Sequence, residues 1–432
     1  MARKPAVATQ GTTTEVTTLA NGLRVATDRM DHVESATLGV WLDSGTRYET
    51  PQLNGIAHLL EHMLFKGTAT RSARALAEEI EAVGGSMNAY TGRETTAFHA
   101  SVLKEDVALA VDLIADILQN SLIDPGELAR EKTVVLQELG QARDTPDDLI
   151  FDHLQETAFP HQGIGRPVLG TETTVNGIAR ADLVAHIAQH YGTHRMTLAA
   201  SGRVDHDELV RLAERFFSGN ATGSLQRAAP EAARYVGGEL RDGRELEQSH
   251  LTLGFEGLGY RDPDFYALAV FSTLFGGGMS SRLFQTVREE RGLVYSIYSF
   301  SSSYADGGLF GIYAGTGAEE VAQVVPLVCE EFARVGQDVT EAEVSRARAQ
   351  LKAATLMGLE STSNRCEQLA RQLLIWDRPL STEEVVARIE AVDRQAVRRV
   401  VERLLKSRPS VAALGPLAGL APVDEIAARL AA

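Results

Sequence analysis

The second half of this 432-residue chain repeats short segments of the first half in the same order. Thr37-Leu38-Gly39-Val40 has a counterpart in Thr252-Leu253-Gly254-Phe255, and Leu64-Phe65-Lys66-Gly67 has one in Leu274-Phe275-Gly276-Gly277. In each half the first segment is typical of a strand and the second of the end of the next helix. This repetition predicts a duplicated α+β domain, in which each copy is an antiparallel-rich sheet covered by helices.

Small and polar residues are concentrated between Gly219 and Gly238. This composition predicts a linker at residues 221–238, between an N-terminal domain at 1–220 and a C-terminal domain at 239–432. The stretch from Ala267 to Leu274 is largely apolar where the first copy carries His and Glu. We therefore expect only the N-terminal domain to hold a metal.

The net charge of the chain is −16, because 58 Asp and Glu residues outnumber 42 Lys and Arg residues. This charge disfavours nucleic-acid binding, and it suits either cationic peptide substrates or plain solubility. Two cysteines, Cys329 and Cys366, cannot form a disulfide framework. No signal-peptide core and no apolar run of membrane-spanning length is found, so we expect a cytoplasmic or organelle-lumen protein.

The chemistry of the chain is concentrated in His58-Leu59-Leu60-Glu61-His62. Residues four apart share one face of a helix, so both imidazoles can reach a single ion. Glu61 lies on an adjoining part of that face, where it can contact a water at the ion without being a ligand. The alternative is a solvated helix face with two unrelated histidines.

A catalytic zinc ion needs a third protein ligand, and Glu138 is the candidate. Glu131 and Glu138 are seven residues apart, almost two helical turns, and so share a face. Glu138 can then ligate while Glu131 supports His62. Without the histidines, each glutamate would be interpreted as an ordinary surface carboxylate.

A second set of histidines, His186, His190 and His194, also has a spacing of four. Tyr191-Gly192 interrupts the helix before His194, and no glutamate lies in the matching register. We interpret these residues as a helix end that packs on a strand.

The segment from His58 to Thr68, His-Leu-Leu-Glu-His-Met-Leu-Phe-Lys-Gly-Thr, closely resembles the zinc helix of the pitrilysin/insulinase family of inverzincin metallopeptidases. Within that family it most resembles the branch with the β-type subunit of mitochondrial processing peptidases and their bacterial homologues. The resemblance extends from Leu19-Ala-Asn-Gly-Leu-Arg-Val25 to the C-terminal domain. It implies one zinc ion per chain and a zinc metalloendopeptidase, with the site residues assigned as follows: His58, His62 and Glu138 as ligands, Glu61 as general base and Glu131 supporting the ligands.

The same resemblance assigns two further parts of the site. Gly84 to Tyr90 is similar to an active-site edge strand to which a peptide substrate adds, with Asn88 and Ala89 facing the scissile bond. Arg288 and Tyr295 match an Arg/Tyr pair that holds a substrate carbonyl and the developing oxyanion. From the residues alone, Tyr295 would be a core strand residue and Arg288 a surface cation.

Processing peptidases of this family favour arginine near the cleavage site, and Asp148 and Asp152 stand where acidic residues would hold it. The alternative is that these carboxylates only favour a helix N-terminus. The chain departs from the family's partner subunit in having only Gly276-Gly-Gly278 where that subunit has a long glycine-rich loop. Since one chain carries both the zinc motif and the Arg/Tyr pair, the resemblance implies a homodimer.

The function predicted from the sequence is therefore cleavage of extended peptides, possibly basic or presequence-like ones, by a zinc-activated water. Two alternatives stay open at this point. One is a scaffold of the same fold without catalysis, and the other is a peptide-maturing protease of cofactor biosynthesis.

Overall fold

The computed structural model describes residues 2–9, 12–218 and 229–431. Within these ranges, twelve strands form one seven-stranded and one five-stranded sheet. In chain order the strands are β1 (Ala2–Thr9), β2 (Thr12–Thr18), β3 (Arg24–Met30), β4 (Ser35–Leu42), β5 (Ser86–Thr91), β6 (Thr96–Leu103), β7 (Met196–Gly202), β8 (Gly238–Gly243), β9 (Ser249–Gly257), β10 (Val294–Ser303), β11 (Gly308–Thr316) and β12 (Ser410–Gly415).

Helices cover both sheets, as the duplicated α+β interpretation predicts. In chain order they are α1 (Ile56–Leu64), α2 (Ala73–Ala82), α3 (Val107–Asn120), α4 (Pro125–Arg143), α5 (Pro146–Ala158), α6 (Glu172–Gly177), α7 (Arg180–His190), α8 (His206–Phe216), α9 (Phe265–Gly276), α10 (Val321–Asp338), α11 (Glu341–Gly358), α12 (Thr362–Trp376), α13 (Thr382–Glu390), α14 (Arg394–Leu405) and α15 (Val423–Ala431). No helix in the described part of the chain has both the length and the apolar character that crossing a bilayer requires.

The strand order is β1-β2-β3-β7-β4-β6-β5 in the first sheet and β10-β11-β9-β12-β8 in the second. Neighbours are antiparallel except for β3 with β7 and β8 with β12. The predicted fold class, α+β with antiparallel-rich sheets, is therefore confirmed.

The two compact units of the fold are interleaved along the chain. The first comprises Met1–Gly140, Pro167–Pro230 and Leu356–Thr382, and the second comprises Gln141–Arg166, Glu231–Thr355 and Glu383–Ala432. The predicted boundaries at 1–220 and 239–432 follow the sequence repeat and stay a prediction. Of the predicted linker, residues 221–228 lie outside the described residues.

Interleaving follows from two helices that each cover a sheet. In the first unit, α12 packs on β3, β4 and β7, whereas in the second unit α5 packs on β8, β9 and β12. Helix α12 also explains why β4 is buried almost throughout: Leu38 and Val40 face the main core with α3, and Trp41 faces Leu369 and Leu373 of α12. Both faces of this central strand are thus covered.

The two sequence repeats occupy equivalent positions. Thr37–Val40 lies in β4 and Thr252–Phe255 lies in β9, while the second pair of segments lies at the C-terminal ends of α1 and α9. The equivalence extends to the topology, because β4-β6-β5 in one sheet matches β9-β11-β10 in the other. The edge strands β5 and β10 therefore correspond.

Strands β1 and β2 form an antiparallel hairpin that the sequence does not signal. Its residues are rich in Thr and Ala and lack the alternation of large apolar side chains that marks a strand. Backbone hydrogen bonds to β3 hold β2 in the sheet although its side chains show no strand-like alternation.

Phe332 on α10 offers a test of the core in the second unit. It is fully buried, and its ring centroid lies 4.7 Å from that of Phe255 and 5.2 Å from that of Phe275. We expect Phe332→Ala to lower the free energy of unfolding by about 3–5 kcal/mol, because the cavity cannot fully collapse. Denaturant unfolding followed by near-ultraviolet circular dichroism measures this. The exposed Met279→Ala variant is the control, and an equal loss in both would contradict the assignment.

Candidate metal centre

Helix α1 has one apolar and one polar side. Leu59, Leu60 and Met63 are fully buried in the main core of the first unit. The side chains of His58, Glu61 and His62 are only half-buried, and they lie on the other side of the helix. Burial of the apolar side therefore fixes the direction in which the polar side chains point.

The three predicted ligands meet in the structure. The Nε2 atom of His58 lies 3.7 Å from Oε2 of Glu138, and Nε2 of His62 lies 3.5 Å from the same oxygen. One donor atom from each residue lies within 4.8 Å of the other two. Within the residues that the structure describes, these form the one group of His, Cys, Asp or Glu that could hold a metal.

The donor set fits zinc in both geometry and chemistry. Two atoms bound to one tetrahedral zinc ion lie about 3.4 Å apart, close to the observed separations. Burial, and then the neighbouring His62, lower the pKa of His58 to about 4. His58 is therefore neutral near pH 7, and a neutral imidazole has the nitrogen lone pair that a metal needs. Two imidazoles and one carboxylate also leave a fourth tetrahedral position open.

Glu131 is buried, with 4% exposure, and contacts both His62 on α1 and Lys66 just beyond the end of that helix. Its Oε2 accepts a hydrogen bond from Nδ1 of His62 at 3.1 Å, and its Oε1 pairs with Nζ of Lys66 at 2.8 Å. A proton on Nδ1 leaves Nε2 of His62 with a free lone pair directed at Glu138. Glu131 and Glu138, seven residues apart on one face of α4, thus both lie beside α1.

Glu61 lies on the same helix outside the group of three. Burial raises the pKa of its carboxyl group, which moves the residue towards the range in which it can both accept and return a proton near neutrality. The hydroxyl of Thr91 donates a hydrogen bond of 2.5 Å to Oε2 of Glu61. The sequence analysis missed Thr91. The signal for it is strand alternation, because Thr91 is two residues after Ala89 and shares its side of β5.

Strand β5 is an edge strand, as expected for the segment from Gly84 to Tyr90. Asn88 and Ala89 pair with His99 and Phe98 of β6, and among the described residues no strand pairs with the other side of β5. Helix α1 packs against β5. The free edge therefore lies next to the helix that carries the metal group.

The second set of histidines does not converge on a metal position. His186 and His190 are buried at the end of α7, where their rings stack at 4.4 Å and Nδ1 of His190 lies 3.1 Å from Oγ of Ser44. Burial lowers the pKa of His186 to about 3. His194 lies beyond the helix end, in the turn Thr193–Arg195.

Arg288 and Tyr295 lie together in the second unit. Arg288 is on a π-helical segment, Phe284–Glu290, and Gly292 follows it with a φ of +64°, whereas Tyr295 is the second residue of β10. The Arg288 guanidinium lies 5.6 Å from the centre of the Tyr295 ring. With 74% exposure, Tyr295 is not the core residue that its strand position alone suggests.

Asp148 and Asp152 lie on α5, which also belongs to the second unit. Asp148 is exposed in the first turn of the helix, and Asp152 follows one turn later on the same face. Burial, and then the negative charges of Asp147 and Asp148, raise the pKa of Tyr298 on β10. The carboxylates at the start of α5 therefore lie near Tyr298.

Comparison with known proteins gives a consistent set of similarities. Residues 24–172 match the family described as Insulinase (Peptidase family M16), and residues 177–351 match the Peptidase M16 inactive domain. The chain is 41% identical to an uncharacterized zinc protease of Streptomyces coelicolor, over 93% of this chain and 89% of that protein. It is 39% identical to the mouse mitochondrial-processing peptidase subunit beta, over 96% and 87%.

A solved structure shares the fold. A chain of Complex III2 from Candida albicans superposes with a TM-score of 0.87 and is 23% identical, over 96% of this chain and 99% of that chain. This similarity concerns the fold alone.

Glu131→Gln tests the support of the metal ligands. We expect metal affinity to fall about 10- to 100-fold, because a neutral amide holds the His62 ring and its tautomer less strongly than a carboxylate does. Competition with a chromophoric chelator measures the zinc dissociation constant. Glu127→Gln, on the first turn of the same helix and paired with Arg130, removes the same charge and should leave affinity unchanged. Equal affinities in the two variants would refute the role of Glu131.

Proposed function

The chain belongs to the insulinase family of M16 peptidases, and from this premise we propose that it is a zinc metalloendopeptidase that cleaves extended peptides. The observation that carries the proposal is the meeting of His58, His62 and Glu138 within 4.8 Å. The names of relatives, which include zinc proteases and processing peptidases, agree with it. The similarity to a Complex III2 chain supports the fold and carries no functional argument.

In the proposed mechanism His58, His62 and Glu138 hold zinc, and the chemistry follows from the residues around them. When bound, zinc supplies Lewis acidity that polarises a carbonyl and makes a nearby water more acidic. Glu61 accepts the proton of the attacking water and later delivers it to the leaving amine. The hydrogen bond from Thr91 holds the Glu61 carboxylate in one orientation, so the proton acceptor is fixed before the substrate arrives.

Substrate binding is assigned to the free edge of β5. An extended peptide can add to Asn88 and Ala89 as a further strand, so that main-chain hydrogen bonds give affinity that depends little on the peptide sequence. This arrangement places the scissile bond beside α1, because α1 packs on β5. A folded protein lacks the exposed extended segment that such binding requires.

Arg288 and Tyr295 are assigned to the oxyanion and a substrate carbonyl. The exposed phenol of Tyr295 is available to donate a hydrogen bond, and the guanidinium of Arg288 lies against its ring. A phenol and a guanidinium are donors of the kind that stabilise the negative charge that develops on the carbonyl oxygen. This assignment rests on the family resemblance, and the proximity of the two residues within the second unit agrees with it.

A preference for basic peptides is assigned to Asp148 and Asp152. Their spacing of four on α5 allows two carboxylates to approach one guanidinium. The acidic charge of the whole chain favours the same substrates. The proposal includes a homodimer, because one chain carries both the metal group and the Arg/Tyr pair. The cytoplasmic location expected from the sequence stays a prediction.

Glu61→Gln is the decisive test of the proposed activity. It removes the proton acceptor and keeps the size of the side chain, so zinc content should be unchanged while peptide cleavage falls below detection. Elemental analysis and mass spectrometry of an extended peptide measure the two quantities. His58→Ala should instead lower zinc content as well as cleavage. Wild-type protein that binds zinc but cleaves nothing would favour the scaffold, and wild-type rates in Glu61→Gln would refute the base.

The double variant Asp148→Asn/Asp152→Asn tests the preference for basic peptides. We expect kcat/KM for an arginine-containing peptide to fall about 3- to 10-fold, as suits partly exposed charge pairs. Cleavage of the same peptide with citrulline in place of arginine should be unchanged. Asp144→Asn removes a nearby exposed carboxylate outside α5 and is the charge control. An equal effect on both peptides would exclude recognition of arginine by these residues.

A further inference from the structure

We propose that Glu49 is a positioning residue that fixes α1 relative to β5, and this inference rests on the proposed function. Glu49 is outside the metal group and 7% exposed. It lies in the segment from Gly45 to Asn54, which connects β4 to α1. This segment contacts the beginning of α1 at one end and the turn between β5 and β6 at the other.

At the α1 end, the Glu49 carboxylate accepts the hydrogen bonds that the side chain of an N-cap residue would otherwise accept. Its Oε2 accepts the amide N–H of Gly55 and its Oε1 accepts the amide N–H of Ala57, each at 2.9 Å. Helix α1 has no hydrogen bond from the side chain of its own N-cap position, because that position is Gly55. The first amides of a helix need partners from outside the helix, and a negative charge there also suits the helix dipole.

The carboxylate holds the segment itself as well. Oε2 of Glu49 also accepts a hydrogen bond from Nδ2 of Asn54 at 2.9 Å, and the same amide nitrogen donates to the carbonyl oxygen of Pro167 at 3.0 Å. Asn54, Gly55 and Ala57 are buried. Removal of Glu49 would therefore leave buried N–H groups without acceptors, a condition that folded chains avoid by local rearrangement.

At the other end, the segment is bonded to the β5–β6 turn. The amide of Thr46 donates to the carbonyl of Gly92 at 3.1 Å, and the amide of Arg47 donates to the carbonyl of Arg93 at 2.8 Å. The Arg47 guanidinium pairs with Glu94 at 2.6 Å. A Cβ atom at Gly45 would lie 2.4 Å from the Gly92 oxygen, so the two backbones touch.

The contacts at the two ends of this segment connect Glu49 to both α1 and β5. The amide of Ala57, which Glu49 holds, directly precedes His58, and Thr91, which contacts Glu61, directly precedes the turn at Gly92. Glu49, through the segment from Gly45 to Asn54, thus links the first turn of α1 to the end of β5. Without it, we expect α1 to shift at His58 while β5 keeps its pairing with β6.

The test compares Glu49→Ala and Glu49→Gln with wild-type protein. Zinc affinity, measured by chelator competition, should fall about 10- to 100-fold in Glu49→Ala and less in Glu49→Gln, which retains one acceptor oxygen. kcat should fall while KM changes little, because the edge of β5 is intact. Asp205→Ala is the matched control: Asp205 caps α8 in the same unit by accepting the amide of Glu208 at 2.9 Å.

The control separates positioning from general stability. Asp205→Ala should lower the melting temperature as a lost cap does, with zinc affinity and kcat unchanged. Glu49 variants that bind zinc and turn over like wild type, or that lose only what Asp205→Ala loses, would overturn the proposal. Wild-type protein that binds no zinc would instead refute the proposed function.

A measurement on wild-type protein applies even where the variants do not fold. Hydrogen exchange resolved to single amides should show Gly55 and Ala57 protected like the core amides of α3, because the carboxylate holds both. Fast exchange at these two amides in the folded protein would overturn the role of Glu49.

Discussion

The candidate site depends on the burial of one side of a nine-residue helix. Leu59, Leu60 and Met63 on α1 are fully buried, and each such side chain contributes about 1.5–3 kcal/mol to the stability of the folded chain. Rotation of α1 about its axis would expose them, so the apolar contacts outweigh any preference of the polar side chains. His58 and His62 are consequently directed at α4 whether or not a metal is bound. The core therefore sets the direction of the ligands, and the polar contacts around α1 hold them in place.

Electrostatic pairing then determines which chemistry the group of three supports. A buried carboxylate such as Glu131 destabilises a fold unless it is paired and hydrogen-bonded, and here it is paired with Lys66 and bonded to His62. The hydrogen bond to His62 also fixes the tautomer of that residue. It therefore offsets the cost of burying Glu131 and leaves Nε2 of His62 able to bind a metal. Glu138 is more exposed, and within the described part of the chain it pairs with the two imidazoles alone. A carboxylate in that position is suited to bind a cation.

Periodicity explains what the sequence could predict. The spacings of four in α1 and seven in α4 are local, so they place His58 with His62, and Glu131 with Glu138, before any tertiary structure is known. That α4 meets α1 is a long-range fact, which the sequence offered only through the need of a catalytic zinc ion for a third ligand, and the family resemblance assigned the same residues. Thr91 was missed because a strand and a helix bring it to Glu61 from thirty residues away. The interleaved units were missed for the same reason, since only packing shows that α12 covers the first sheet and α5 the second.

The duplication shows why the two copies differ in chemistry. In the second copy, α9 occupies the position of α1, but Phe271 and Phe275 on α9 pack against Phe332 and lie in the core. Helix α9 carries no His, Cys, Asp or Glu, so it offers no side chain that could bind a metal. The edge strand of that copy is under no such constraint. Tyr295 lies on β10, the counterpart of β5, and is exposed. Each copy thus presents polar groups at the same topological position, a sheet edge that no strand covers within the described residues. The difference between the copies lies in the helix that follows the central strand.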